Sequence, residues 1–242
     1  MFDKLFSPIK IKDMELPHRI ILPAMGTKFS GNDSYVTDKL IEHKDEYVYF
    51  RSDHHWTMLG AYYAYCEFAE SRGFEPTHLE DFKHSVINEE YRGAMYQFTL
   101  DERVRSFVDT LNIYVTQKPH TMTVYYATGG FLKFDTCIPT QISKHYSTLI
   151  GGDNPYTVIN IPENPQDKSI LVFKDSFGNA MIPFLCEHYG NIHVVDPRYA
   201  EFTLTEFFAD QKFSDILFLN NIQSVNSSSW AKLYLKLIGI ES

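Results

Sequence analysis

The sequence predicts an α/β fold in which a mostly parallel sheet is flanked by helices. Three observations carry that expectation. Residues 169–174, Ser-Ile-Leu-Val-Phe-Lys, form a continuous apolar run of the kind a strand buried on both faces shows. Short apolar runs recur at 192–196 and 215–219, with helical stretches at 177–189 and 228–238, and such alternation of strands and helices marks parallel sheets. Asp53, Ser176, Asp196 and Asn220 fall at the carboxyl ends of predicted strands, where these sheets carry their sites.

The elements follow in order. Residues 9–12 and 19–22 read as short extended arms with a turn through Asp13 and Met14; Gly26, Gly31 and Asn32 then break the pattern. Residues 46–50, Glu-Tyr-Val-Tyr-Phe, have strand composition. They run into Arg51-Ser52-Asp53-His54-His55-Trp56. A helix begins near Thr57, with Met58, Tyr62, Cys66 and Ala69 as its apolar stripe and Gly73 as its stop. Residues 91–97 and 121–126 read as extended, 101–109 as helical, and 131–138 and 157–161 as strands. Pro183 predicts a kink or a late start in the helix at 177–189.

A chain of 242 residues can bury a sizeable core without disulfide or metal staples. Its 22 Lys and Arg against 31 Asp and Glu give a net charge of −9, which excludes a nucleic-acid binder relying on phosphate attraction. Cys66, Cys137 and Cys186 are far apart, odd in number and free of CxxC spacing, so they predict no disulfide framework; Cys66 and Cys186 read as buried thiols. No apolar run reaches 18 residues, which predicts no membrane span. With no export signal at its start, the chain as written reads as cytoplasmic.

Two places can carry chemistry. Asp53 and His55 stand two apart at a strand-to-helix junction, where an Asp can orient an imidazole that acts as general base. Asp53 can equally cap the following helix. A metal is a third use of Asp53, His54 and His55, disfavoured because adjacent histidines rarely face one ion and no HExxH is present. Ser176 follows the buried strand and opens a helix, whose free N–H groups favour a developing oxyanion. It also suits an N-cap, and no GxSxG surrounds it. Asn179 and Asn221 are candidate hydrogen-bond donors there. Arg198 can bind an anionic group or pair with Asp196. His188 and His193 read as packing or surface histidines.

Residues 49–65, Tyr-Phe-Arg-Ser-Asp-His-His-Trp-Thr-Met-Leu-Gly-Ala-Tyr-Tyr-Ala-Tyr, resemble the DHHW protein family of Gram-positive bacteria. So do Lys174-Asp175-Ser176-Phe177-Gly178-Asn179, Ile182-Pro183-Phe184-Leu185, Val195-Asp196-Pro197-Arg198-Tyr199 and the strand leading to Asn221. The resemblance covers residues 33–242. That family is in turn similar to the SGNH-hydrolase-like domains of periplasmic alginate O-acetyltransferases, whose motif order is circularly permuted. The resemblance implies Asp53 as orienting acid, His55 as base, Trp56 as the following aromatic and Ser176 as nucleophile, with Lys174-Asp175-Ser176 replacing a Gly-rich approach. Asn179, Asn221, Arg198 and Trp56 are the residues it leaves for substrate or oxyanion contacts. His54 is expected to point away from His55.

The resemblance implies an esterase or O-acyltransferase acting on a cell-envelope glycan or similar hydroxylated or acylated substrate, with no cofactor and no metal. A non-catalytic carbohydrate-binding domain of the same fold is the alternative. DHHW relatives usually carry an anchor or export signal, which implies an extracytoplasmic setting for the family. Residues 1–28 instead resemble the start of old-yellow-enzyme-type flavin oxidoreductases, through Leu5-Phe6-Ser7-Pro8-Ile9-Lys10-Ile11 and the stretch from Leu16 to Thr27. A flavin barrel needs about 250 residues, so no complete flavin site is expected from this fragment. The expected division is therefore a peripheral fragment at 1–30 and a DHHW domain at 31–242.

Overall fold

The computed structural model of the chain describes residues 9–11, 14–16, 20–23, 40, 42–209, 211–221, 224 and 227–240. Strands β1 (Ile9–Ile11) and β2 (Met14–Leu16) form an antiparallel hairpin. The second arm thus comes earlier in the chain than 19–22. Residues 20–23 form β3 (Ile20–Pro23), which pairs in parallel with a strand of the main sheet. The expected break at Gly26, Gly31 and Asn32 lies outside the described residues.

The main sheet has seven strands. Besides β3 they are β6 (Thr121–Tyr125), β7 (Phe131–Phe134), β8 (Tyr156–Asn160), β9 (Ser169–Lys174), β10 (Asn191–Val195) and β11 (Asp215–Asn220). Their spatial order is β3-β11-β9-β10-β8-β6-β7. The pairs β3–β11, β11–β9 and β9–β10 are parallel. The pairs β10–β8, β8–β6 and β6–β7 are antiparallel. The sheet is therefore mixed, not mostly parallel. At one edge the cause is local: β6 and β7 are joined through Gly129 and Gly130, both at positive φ, a tight connection that only antiparallel neighbours can use.

β9 is buried at all six positions. Ile170 and Val172 belong to one apolar cluster, while Leu171 and Phe173 belong to the other, so both faces of the strand are covered. On the first face lies α1 (Met58–Ser71), capped by Thr57, whose hydroxyl accepts from the Gly60 N–H. Its buried stripe runs through Met58, Ala61, Ala64, Tyr65, Phe68 and Ala69, with Tyr62 only half-buried. Tyr65 stacks on Phe184 and meets His188 at 2.8 Å. Cys66, Cys137 and Cys186 are buried free thiols.

A separate antiparallel ribbon pairs β4 (Lys83–Tyr91) with β5 (Asp109–Val115). Between them sit α2 (Ala94–Thr99) and α3 (Glu102–Arg105). Residues 94–97, expected as extended, are thus helical, and helix in 101–109 is confined to one turn. Residues 46–50 make no strand; a single bridge joins Tyr49 to Trp56. After β9 a 3₁₀ turn covers Ser176–Ala180 and α4 covers Ile182–Leu185, with Pro183 in its first turn, where a missing N–H costs nothing. The chain closes with α5 (Leu204–Phe207) and α6 (Ser228–Leu237). No helix among the described residues is long and apolar enough to cross a membrane.

One ionic group is buried at the carboxyl edge of this sheet. Lys174, the last residue of β9, is 1 % exposed, and its Nζ lies 2.6 Å from Asp153 Oδ1 and 3.2 Å from Asp196 Oδ2. Arg198 Nη2 closes the square at 2.8 Å from Asp153 Oδ2 and 2.6 Å from Asp196 Oδ2. Two cations and two anions cancel, which is the condition for burying any of them. Gly178 permits the close packing: a Cβ there would meet the Lys174 Cβ at 2.6 Å.

Burial opposes ionisation of Asp153, but Lys174 and Arg198 outweigh it and hold the carboxyl down to about 2. A depressed carboxyl adds stability above its unfolded value, near 3.9, and that stability fades as pH falls toward 2. Asp153→Asn should therefore lower thermal stability at pH 6 by on the order of 2 kcal/mol. The gap from the wild type should close between pH 4 and 2; a pH-independent gap in a melting series would contradict this.

Candidate active site

The site begins with a loop that the following ribbon holds in place. Asp109, the first residue of β5, is 1 % exposed. Its carboxylate accepts from the N–H groups of Arg51 and Ser52, at 3.0 and 2.7 Å, and from the hydroxyls of Ser52 and Tyr47. Ser52 Oγ in turn accepts from the Gly93 N–H at 2.9 Å. Gly93 lies so close that a Cβ on it would stand 2.2 Å from the Cβ of Asp53.

Asp53 is buried and accepts from four donors. Oδ1 receives the His55 N–H at 3.1 Å and the His55 Nδ1 at 2.7 Å. Oδ2 receives the Tyr91 hydroxyl and the Ala94 N–H at 3.0 Å. Burial opposes its ionisation; the bonds from His55, Tyr91 and Ala94 overcome that and hold the carboxyl well below the usual carboxylate range. Burial and the Asp53 charge push the Tyr91 phenol up, so it stays a donor. Thr57, not Asp53, caps α1.

The far nitrogen of the same ring, His55 Nε2, lies 2.8 Å from Ser176 Oγ across 121 residues of chain. Ser176 is free to face it because Asp175 caps the 3₁₀ turn, accepting from the Phe177 N–H at 3.0 Å. Tyr146 fixes both partners. Its ring stacks on His55 at 3.9 Å between centroids, and its hydroxyl donates to the Ser176 carbonyl at 3.0 Å. With Asp53 ionised and accepting at Nδ1, the imidazole presents a lone pair at Nε2 toward the serine hydroxyl. The three groups open onto a pocket of about 220 Å³, also lined by Tyr146, Asp153 and Asn179.

The remaining candidates are placed differently from one another. Asn179 lines the pocket, with Nδ2 2.9 Å from Asp153 Oδ1. Trp56 is fully buried, and its indole N–H donates to the Phe177 carbonyl at 2.9 Å, so it braces the serine turn. The Asn221 N–H donates to Asp175 Oδ2 at 2.7 Å, one step behind the serine. Arg198 pairs with Asp196, as one of its two readings has it, and also with Asp153.

His54 does not point away from His55. The ring centroids are 3.9 Å apart, and His54 Nδ1 lies 3.3 Å from Asp53 Oδ1. Residues 51–55 form bends, not an extended strand, so side-chain alternation does not apply. Burial and then the charge of His55 push the half-exposed His54 imidazole below its ordinary value. Asp53, His54 and His55 offer ligand atoms within 4.8 Å of one another. Both ring nitrogens of His55 are engaged by Asp53 and Ser176, so an ion there would have to displace one of these bonds.

Sequence reasoning missed Tyr91, Asp109, Tyr146 and Asp153. Tyr91 lies 38 residues from the carboxylate it contacts, and Asp109 lies 57 from the serine it clamps. No local motif surrounds either.

A model of the DHHW protein family matches residues 19–195. No curated protein matches the chain. A DHHW family protein from Eubacterium siraeum is similar at 29% identity with a TM-score of 0.72, over 86% of this chain and 69% of that one. Bacillus cereus PatB1 is similar at 19% identity with a TM-score of 0.65, over 81% of this chain and 70% of its own; its sulfonyl adduct gives 18% and 0.66, over 82% and 69%. At that identity PatB1 speaks for the fold alone. The family match begins inside the first 28 residues, where β3 joins the sheet. Spanning well over half of the sequence, it shows that the chain belongs to the DHHW family.

Proposed function

We propose that this chain is an SGNH-like serine esterase or O-acyltransferase acting on a cell-envelope glycan or a similar hydroxylated substrate. The observation that carries the reading is the unbroken chain of hydrogen bonds from Asp53 through His55 to Ser176, at 2.7 and 2.8 Å, at the mouth of a pocket. Ser176 Oγ attacks the acyl carbonyl while His55 Nε2 takes its proton. The leaving oxygen departs with that proton, leaving an acyl-enzyme. Water or a sugar hydroxyl then attacks the acyl group, giving its proton to His55, which passes it to Ser176 Oγ as the bond to the acyl carbon breaks. Asp53 holds the ring and its tautomer and offsets the imidazolium charge. In this reading Asn179, on the pocket wall, donates to the oxyanion. Support comes also from PatB1, which shares the fold and has been captured with a sulfonyl adduct, the product expected of an activated nucleophile.

A fluorophosphonate probe should label Ser176, and Ser176→Ala should abolish the label without lowering thermal stability by the amount a lost cap costs, because Asp175 supplies the cap. An unlabelled, folded wild type would favour the binding-domain alternative. His55→Ala should reduce aryl acetate hydrolysis on the order of 10²-fold or more, whereas His54→Ala should cost only a few-fold. The reverse ranking in a steady-state assay would move the base to His54. Gly93→Ala should reduce the rate as severely as Asp53→Ala, since its methyl group occupies the space of the Asp53 side chain. A fully active Gly93→Ala enzyme would refute the tight seating of Asp53.

A further inference from the structure

Asn179 stands three residues after Ser176 in the same 3₁₀ turn, buried, with its side chain on the pocket wall. Its amide Nδ2 donates to Asp153 Oδ1, and its own Oδ1 has no hydrogen-bond partner among the described residues. Leaving a buried carbonyl oxygen unpaired is unfavourable, so something must hold the amide this way round. The Asp153 carboxylate can only accept, and it would repel the amide oxygen. It follows the turn at Tyr146–Gly151, lines the same pocket, and is held on both oxygens by Lys174 and Arg198. Those two cations keep it ionised and neutralise its charge toward the pocket. An amide nitrogen carries two N–H groups, and Asp153 takes one.

We infer that Asp153 is a positioning residue: anchored by the buried Lys174, it fixes the orientation of Asn179 so that the second amide N–H meets the oxyanion formed by attack of Ser176. This rests on the serine acyl-transfer reading. It explains why a fully buried lysine stands two residues before the serine, in place of the glycine-rich approach. The lysine anchors the carboxylate that turns the amide.

The test is a double-mutant cycle on aryl acetate hydrolysis with the full chain. Asn179→Ala should lower kcat on the order of 10²-fold with KM changed less than about twofold, the signature of a lost oxyanion donor. Asp153→Ala should lower kcat about 10-fold, and the double variant should be no slower than Asn179→Ala, because Asp153 acts only through Asn179. Asp153→Asn, whose amide oxygen can still accept from Asn179, should recover part of the loss. Additive losses, or an Asp153→Ala effect confined to KM, would overturn the inference. Fluorophosphonate labelling separates the two failures: no label on the wild type sinks the serine reading, while a labelled wild type with additive losses sinks only the role of Asp153. If Asp153→Ala does not fold, Asp153→Ala with Lys174→Met removes the stranded buried charge, and the same cycle applies.

Discussion

The site depends on keeping one carboxylate ionised in the interior. Asp53 is nearly dry, and a lone charge in such a place would protonate or drag water in. Four donors prevent this, and two of them are backbone N–H groups whose positions follow from the path of the chain. The loop at 51–56, the first turn of α2 and the end of β4 therefore have to arrive together. Asp109 enforces the meeting by clamping Arg51 and Ser52 from the start of β5. A second acid, with no reach to the pocket itself, thus decides where the first one stands.

The serine side is organised on a different plan. Its turn is braced from several directions: Asp175 beneath, Trp56 and Tyr146 on the carbonyls of Ser176 and Phe177, and Asn221 behind Asp175. The ion square of Lys174, Asp153, Arg198 and Asp196 lies at the same edge. Hydrophobic packing supplies the bulk of the fold, but the last few ångströms at the site are set by charges that satisfy one another. Such a network is costly to break at any one member, because the partner is left buried and unpaired.

Much of this was legible from sequence. The run at 169–174 announced a strand covered on both faces, and β9 has one face in each apolar cluster. Spacing alone leaves Asp53 open between a helix cap and a partner of His55, and Ser176 open as an N-cap; the family resemblance is what singles them out, and in the structure Asp53 Oδ1 meets His55 Nδ1 at 2.7 Å and Ser176 Oγ meets His55 Nε2 at 2.8 Å. The sequence reads as a mostly parallel sheet because antiparallel partners leave only the fainter signal of alternation. Thr121-Met122-Thr123-Val124-Tyr125 does alternate, with Met122 and Val124 buried, but its neighbours in space come from elsewhere in the chain. Residues 91–97 read as extended, whereas the Ala94 N–H bonded to Asp53 lies at the start of a helix over 94–99. Tyr91, Tyr146 and Asp109 were invisible because their partners are fixed only by tertiary contact.

The contact between His55 and Ser176 spans 121 residues, and the chain between them builds the β4–β5 ribbon and four of the seven strands of the main sheet. Closing so long a loop has an entropic cost that only a nearly complete fold can repay. The two side chains consequently meet only once the ribbon and the sheet between them have formed. On the serine acyl-transfer reading proposed above, the same topology would leave a half-folded chain with a serine that has no base beside it.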